Sequence, residues 1–104
     1  MSILSLTFHI TEQALAAWEQ YATTELELLI DNLMDVEKYI LSEVETEMIT
    51  EGRNTNLLLI FDNEELRAQF IENEFPNIVE RIEAKFGDSV MIFKTILNAK
   101  KSRF

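Results

Sequence analysis

The sequence predicts an α+β domain with the element order β-α-β-β-α-β, in which one four-stranded antiparallel sheet carries two helices. Three observations predict it. Short segments at 3–10, 56–61 and 89–98 either alternate apolar and polar residues or are apolar almost throughout, as strands are. Two longer segments, 12–33 and 64–86, repeat apolar residues every three or four positions, as amphipathic helices do. The length of 104 residues fits a single domain.

The segment 3–10 has the clearest strand pattern. Its apolar face consists of Leu4, Leu6, Phe8 and Ile10. Its other face carries Ser5, Thr7 and His9. A period of two is typical of a strand with one buried face, so we expect the apolar face to meet the helices.

A first helix is predicted over 12–33. Thr11 is a suitable N-cap, and Ile10 pairs with Leu15 as in a hydrophobic staple. The apolar stripe consists of Leu15, Trp18, Ala22, Leu26, Leu29 and Leu33. Core packing is the default interpretation for Trp18 and for the later aromatic residues Phe70, Phe75 and Phe86.

A second strand is predicted at 36–48, where Glu43, Glu45 and Glu47 share one face. Carboxylates can bind calcium, but Ca²⁺ takes six to eight oxygens from a shaped loop. A solvated face that protects an edge strand against pairing is therefore favoured. A turn follows at 51–54, because glycine and asparagine tolerate positive φ.

The third strand, at 56–61, is apolar at every position from 57 onward, which is typical of coverage on both faces. Asp62 or Asn63 caps the second helix, and Pro76 predicts a kink or a restart within it. Gly87 is a suitable C-terminal stop. The inner face of this helix consists of Leu66, Phe70, Ile78, Ile82 and Phe86.

The last strand is predicted at 89–98. One face carries Val90, Ile92 and Ile96, and the other carries Met91, Phe93, Thr95 and Leu97. The basic tail at 99–104 is most simply a frayed terminus.

The element order corresponds to the ferredoxin-like split arrangement, with the first and third strands in the centre and both helices on one face. The other face then exposes apolar side chains from the third and fourth strands, and large apolar patches usually mark contacts. We therefore expect a homodimer in which two sheets pack face to face, as in a dimeric α/β-barrel. Leu58 and Ile60 are the candidate interface residues.

Composition excludes several classes of site. The chain has no cysteine, which removes disulfides, thiolate metal sites and cysteine nucleophiles and is compatible with the cytoplasm. The longest uninterrupted apolar run is 57–61, far shorter than a membrane helix, and the N-terminus has no basic region typical of a signal peptide. We expect no membrane association, no metal and no cofactor.

The charge is unevenly distributed. Residues 1–51 contain eleven acids and one base, Lys38, whereas 52–104 contain eight of each. The net charge of −10 therefore comes from the first half. Nucleic-acid binding requires Lys and Arg along the phosphates, so we expect none here.

His9 is the only histidine and a candidate for chemistry. As a general base it would need a partner to orient it. The favoured interpretation is a partly exposed histidine at a strand end, and the functional alternative is a ligand-binding cleft between two sheets lined by Thr7, His9 and Thr95. Lys94 should point away from Thr95. No Gly-rich phosphate loop exists, because Gly52 and Gly87 stand alone.

The element order, Trp18 early in the first helix, and the segments 85–88 (KFGD) and 93–97 (FKTIL) resemble a bacterial family of short proteins found in Bacteroidetes, the domain of unknown function 4286. The resemblance covers nearly the whole chain and is weakest over 31–47. It implies a ferredoxin-like fold and a dimeric α/β-barrel assembly. It implies no activity and no catalytic residues.

Two hypotheses for function follow. The first is a small non-catalytic dimeric binding or interaction module, supported by the lack of a recognisable catalytic motif. The second is a small dimeric α/β-barrel enzyme, similar to monooxygenases, with a site between the sheet faces, supported by fold analogy alone. A pocket containing His9 and a hydrogen-bonding partner would favour the second, and a solid sheet-to-sheet interface would favour the first.

Overall fold

A computed structural model describes residues 1–45 and 51–103. The strands are β1 (Ser2–Ile10), β2 (Lys38–Glu43), β3 (Arg53–Phe61) and β4 (Val90–Asn98). The α-helices are α1 (Leu15–Tyr21), α2 (Glu27–Asp31), α3 (Glu64–Asn73) and α4 (Phe75–Phe86). A 3₁₀ turn (Glu12–Ala14) precedes α1, a π-helical segment (Ala22–Leu26) joins α1 to α2, and a second 3₁₀ turn (Gly87–Ser89) precedes β4.

The four strands form one antiparallel sheet in the order β2-β3-β1-β4. β1 is central and pairs along its whole length with β3 on one side and β4 on the other. Leu4, for example, lies between Leu59 and Ile96. The predicted ferredoxin-like arrangement, with the first and third strands in the centre, is confirmed.

The core lies between one face of the sheet and the helices. Its fully buried strand residues are Leu4, Leu6, Phe8, Ile10, Leu57, Leu59 and Phe61. Its buried helix residues include Trp18, Leu26, Phe70, Ile78 and Ile82. The Trp18 ring centroid lies 5.2 Å from that of Phe8 and 5.6 Å from that of Phe86, so the predicted core role of this tryptophan is confirmed.

The first helical region, 12–31, differs from the predicted regular helix. Its most buried large residues are Trp18, Tyr21, Leu26 and Ile30, and the step from Tyr21 to Leu26 is five residues. Ala22 and Leu29, which were predicted to belong to the stripe, are only half-buried. The π-helical segment causes this difference, because its wider turn adds one residue between the two α-helices.

The second strand is shorter than predicted and the third is longer. β2 ends at Glu43, Glu45 lies beyond it, and Glu47 lies outside the described residues, so the predicted row of three carboxylates on one strand is wrong. β3 begins at Arg53, because this residue pairs with Ile10. Of the turn predicted at 51–54, only 51–52 therefore lies outside the strand.

Gly52 in that turn has φ +81°, and a Cβ at this position would lie 2.3 Å from the Ile10 carbonyl oxygen. A side chain here would clash with β1, so the tight approach of the turn requires glycine.

The second helical region restarts at its proline, as predicted. Asn63 is the N-cap of α3, and its Oδ1 accepts a hydrogen bond from the backbone N–H of Leu66 at 2.9 Å. α4 begins at Phe75, which places Pro76 in the first turn, where its missing N–H has no cost. Gly87 ends α4 with φ +57°.

Arg67 ties α3 to the sheet. It is 7% exposed, and its Nη1 donates to the carbonyl oxygens of Ile3 and Leu97 at 3.0 Å each. One guanidinium therefore bridges β1 and β4.

Replacing a core residue of β1 should destabilise the fold. Leu6→Ala and Phe8→Ala are each expected to lower the free energy of unfolding by roughly 2–5 kcal/mol, because truncation leaves a cavity. Urea unfolding followed by circular dichroism measures the change. Gln69→Ala, at an exposed position of α3, is the control and should stay within about 0.5 kcal/mol of wild type. An unchanged urea midpoint for Phe8→Ala would contradict the assigned core.

Candidate functional site

The sheet face opposite the helices, here called the open face, is the first candidate site. The strand registers assign to it Ile3, Ser5, Thr7 and His9 of β1, Lys38, Ile40 and Ser42 of β2, Asn54, Asn56, Leu58 and Ile60 of β3, and Met91, Phe93, Thr95 and Leu97 of β4. Successive side chains of a strand point to opposite faces, so these positions share one surface.

The three residues predicted to line a cleft all lie on the open face. Thr7 and His9 lie on β1, whose partners on β4 at these positions are Phe93 and Met91. Thr95 lies opposite Ser5, which makes it a diagonal neighbour of Thr7. The fold thus brings Thr7, His9 and Thr95 to one surface, and whether they bind a ligand stays a prediction.

Lys94 faces the helices, as its position next to Thr95 predicted. Its Nζ lies 5.4 Å from the ring centroid of Phe75. It therefore does not belong to the open face.

Asparagine side chains organise the polar centre of the open face. Asn56 Nδ2 donates to Ser5 Oγ at 2.7 Å, to Thr7 Oγ1 at 3.3 Å and to the Leu6 carbonyl oxygen at 3.3 Å. The sequence analysis did not identify Asn54 and Asn56 as site residues. A signal existed, because asparagine is depleted in strands and two asparagines at a spacing of two mark a polar face.

His9 is held by a defined partner. Its Nδ1 lies 2.7 Å from Asn54 Oδ1. An amide oxygen only accepts hydrogen bonds, so His9 Nδ1 carries the proton and Nε2 is left as an acceptor. The turn at Gly52 packs against the same ring, since a Cβ there would lie 3.2 Å from His9 Cε1. The arrangement of a histidine and its orienting partner resembles the geometry of a general base.

Apolar side chains surround this polar centre. Ile40 on β2 is 55% exposed, and Phe93 and Met91 on β4 are 49% and 51% exposed. Of the two predicted interface residues, Leu58 is half-buried and Ile60 is 7% exposed. Most of the exposed apolar surface is therefore on the two edge strands.

Ile60 lies at the end of the open face near the C-terminal segment. A small cleft there is lined by Met1, Lys38, Ile60 and Ser102, among others. Both ends of the chain thus come close to Ile60, which accounts for its low exposure.

A second candidate site lies on the helix-bearing side of the sheet. A cleft of about 490 Å³ separates α1 and the π-helical segment from the ends of β2 and β3. Trp18 lines it, and its Nε1 donates to Thr55 Oγ1 at 3.0 Å. We call this the helix-side cleft. No sequence motif marks it.

Within residues 1–45 and 51–103, no group of three or more His, Asp or Glu side chains is placed to hold a metal ion. Over the same residues, no helix is both long and apolar enough to cross a membrane.

A comparison with models of protein families shows which family this chain belongs to. The model of the family "Domain of unknown function (DUF4286)" matches residues 1–100. The chain belongs to the DUF4286 family. The resemblance found in the sequence is thereby confirmed. No curated protein sequence matches the chain.

Solved structures share the fold of this chain at low sequence identity. A candidate antibiotic biosynthesis monooxygenase from Deinococcus radiodurans matches with TM-score 0.70 and 15% identity, covering 100% of this chain and 97% of that chain. HapK from Hahella chejuensis matches with TM-score 0.67 and 8% identity, covering 100% and 97%. A dimeric ferredoxin-like protein from an uncultured marine organism matches with TM-score 0.61 and 11% identity, covering 99% and 100%. At these identities the likeness shows the fold alone.

Two tyrosines in this DUF4286 member have altered acidity. Burial, followed by the charge of Glu25, raises the pKa of Tyr21, while Arg81 and Lys85 oppose the change. A hydrogen bond raises the pKa of Tyr39, whose hydroxyl donates to Asp31 Oδ1 at 2.6 Å. Both phenols stay protonated at neutral pH, so neither supplies a base.

Glu74, between α3 and α4, is a carboxyl group whose acidity is altered by its surroundings. Burial raises its pKa, the charge of Asp35 adds to this, and a hydrogen bond from the backbone of Met34 opposes it. Its Oε2 is buried without a hydrogen-bond partner. Ionisation of Glu74 therefore weakens the folded state.

The raised pKa predicts a pH-dependent stability. The folded state binds the Glu74 proton more tightly than the unfolded state, so this stabilisation is complete below the unfolded pKa of about 4.3 and is lost as pH rises through the folded pKa. Glu74→Gln cannot ionise, so this variant does not lose stability as pH rises. The difference in melting temperature between Glu74→Gln and wild type should therefore increase from pH 4 to pH 7. Scanning calorimetry measures it. Glu72→Gln, exposed on α3, is the control. A Glu74→Gln difference that stays flat with pH would contradict the assignment.

Proposed function

We propose that this DUF4286 chain forms a homodimer by packing two open faces against each other, and that the dimer is a non-catalytic binding or interaction module. One observation carries the proposal. The open face combines exposed apolar side chains on its edge strands with a polar centre whose side chains hydrogen-bond to one another within the chain. Such a surface can be buried against a second copy of itself.

The hydrogen bonds within the polar centre lower the free-energy cost of burying the open face. Removing a polar group from water is costly when it loses its hydrogen bond and much less costly when it keeps one. Asn56 keeps Ser5 and Thr7 as partners, and His9 keeps Asn54. Burial of the open face therefore leaves these hydrogen bonds intact, and groups such as His9 Nε2 still need a donor from the second chain or from water.

The open face also has enough area. Four strands spaced about 4.8 Å apart, with up to nine residues at about 3.3 Å each, cover roughly 19 by 30 Å. Two such faces bury about 1,100 Å² in plan, close to the lower end of the roughly 1,200–2,000 Å² of specific interfaces, and the relief of the side chains adds to this.

Charge permits this mode of association. The chain carries −10, yet Lys38 is the only charged residue that the described strands place on the open face. The acids lie on other surfaces, where repulsion between two copies is screened over about 8 Å at physiological salt. Apolar burial is therefore expected to outweigh repulsion. The ferredoxin-like protein from the marine organism is itself described as dimeric, which supports the same assembly.

A charge placed on the open face should break the dimer. Phe93→Asp would bury an unpaired carboxylate in the interface and is expected to give a monomer. Ile96→Asp is the matched control, because Ile96 lies on the same strand with 50% exposure, against 49% for Phe93, but on the opposite face. Sedimentation equilibrium at micromolar concentration should give about twice the 12.1 kDa chain mass for wild type and for Ile96→Asp.

A monomeric wild type would contradict the homodimer. An equal loss of the dimer in both variants would contradict face-to-face packing and would indicate pairing through the β4 edge instead.

A second function, an enzyme with its site between the two sheets, is favoured by one observation. The His9–Asn54 pair leaves Nε2 of His9, a residue of the open face, as an acceptor, and the fold is shared with a candidate monooxygenase. A site of this kind, lined by Thr7, His9 and Thr95, needs space next to His9 inside the dimer. A non-catalytic module needs none.

Chemical modification of the only histidine separates the two functions. In a solid interface, His9 of the wild-type dimer should react with diethyl pyrocarbonate about tenfold or more slowly than His9 of monomeric Phe93→Asp, because modification must wait for dissociation. Mass spectrometry of the proteolytic peptide that contains His9 measures the rate. Equal rates in dimer and monomer would show an accessible His9 and would favour the enzyme.

A further inference from the structure

We propose that the helix-side cleft binds a neutral, largely apolar small molecule through one hydrogen-bond acceptor. This gives a ligand class to the proposed binding function. The cleft lies on the sheet face opposite the dimer surface, so its occupant does not depend on the packing of two open faces.

The cleft arises because the helix does not fill the space above the edge strand. On β2, Leu41 is half-buried and Glu43 is exposed, although both face the helices. The core on this side ends at Trp18, which is 3% exposed. The π-helical segment borders the gap with Ala22 and contributes only that short side chain to its apolar wall. Such segments occur frequently at functional sites.

The walls favour an apolar body. Leu15, Ala22 and Leu41 line the cleft together with the edge of Trp18. Its volume of about 490 Å³ lies within the range of roughly 300–1,000 Å³ typical of small-molecule sites.

Thr55 and Arg53 are two of the side chains in the cleft that can donate hydrogen bonds. Thr23 and Ser42 also line it, and the Thr23 hydroxyl donates to the Glu19 carbonyl oxygen at 3.0 Å. Thr55 Oγ1 accepts from Trp18 Nε1 at 3.0 Å, which leaves the hydroxyl hydrogen of Thr55 to donate. Arg53 also lines the cleft, and its Nη1 donates to the Gly52 carbonyl oxygen at 2.8 Å, which leaves further guanidinium N–H groups. A ligand must therefore bring an acceptor.

The surrounding charge selects against an anionic acceptor. Glu19 and Glu43 line the same cleft, and the chain carries −10. Two carboxylates against one guanidinium repel an anion. A carbonyl oxygen accepts from Thr55 and Arg53 without this repulsion, which points to ketones, esters and lactones.

The only tryptophan of the chain makes the binding measurable. The probe is 2-nonanone, and sodium nonanoate is its anionic counterpart of equal chain length. We expect 2-nonanone to change Trp18 fluorescence in a saturable way and to shift the single indole N–H signal in ¹H–¹⁵N NMR spectra. Nonanoate should bind more weakly than 2-nonanone at pH 7. The difference between the two affinities should decrease with added salt, because salt screens the carboxylates of the cleft.

Two matched alanine-to-leucine substitutions localise the site. Ala22→Leu extends a side chain into the cleft and should weaken 2-nonanone binding by about tenfold or more. Ala16→Leu adds the same group at an exposed position of the same helix, away from the cleft, and should leave binding unchanged. Circular dichroism checks that both variants fold.

Thr55→Val provides a test that does not fill the cleft. It keeps the shape of the side chain and removes the hydroxyl, which is both the proposed donor and the acceptor of the Trp18 Nε1 hydrogen bond. Thr55→Ser keeps the hydroxyl and is the control, so binding of 2-nonanone should weaken in Thr55→Val and stay at the wild-type level in Thr55→Ser. No saturable change in fluorescence with 2-nonanone, tighter binding of nonanoate, or equal affinities of Ala22→Leu and Ala16→Leu would each overturn the proposal. Sedimentation tests the dimer separately, so failure of one proposal is distinguishable from failure of the other.

Discussion

Strand β1 has a hydrogen-bonded neighbour on each side along all nine of its residues, and both faces of the sheet follow from this constraint. Its position in the centre fixes the register of β3 and β4, and its alternation assigns each neighbouring side chain to one face or the other. A shift of one residue would move Leu6 and Phe8 into water and Thr7 into the core. The apolar side of β1 builds the core with the helices, and the polar side forms the centre of the open face.

The two faces of the sheet have different chemistry. The helix-bearing face is packed by aromatic and aliphatic side chains in its centre. Its edges are more open, because the helix-side cleft lies near β2 and because Lys94 and Ile96 of β4 are exposed. The open face is nearly free of charge in a strongly acidic chain. Selection for solubility alone would place charges on such a surface. Their scarcity there is consistent with a surface that is covered, and this links the charge distribution to assembly.

Much of the fold could be predicted from the sequence, because periodicity and local turn chemistry are encoded within a few residues. The alternation of β1, the restart at Pro76 and the stop at Gly87 are all of this kind. Arg53 and Asn54 were wrongly assigned to a turn, since their local preference is overridden by pairing with Ile10 and His9.

The sites were harder to predict, for a physical reason. Strand parity places Thr7, His9 and Thr95 on one face, but the partner of His9 is an asparagine 45 residues away, and no local pattern encodes that contact. The π-helical segment was also hidden, because Ala22 and Leu29 are apolar like Tyr21 and Ile30, and the sequence supports two stripes equally well. Only packing against the sheet selects one of them.

The five-residue step between Tyr21 and Leu26 has a consequence for chain length. With one residue removed between them, the buried positions would follow steps of three and four, and the region could form a regular α-helix with both halves in their present orientation. The first helical region thus contains one residue more than its core packing requires. In physical terms this residue is an insertion that the fold tolerates, and its local effect is confined to the side of the helix that borders the cleft. Removing one residue within 22–25 would therefore change the shape of the helix-side cleft while keeping the buried positions of both halves in register.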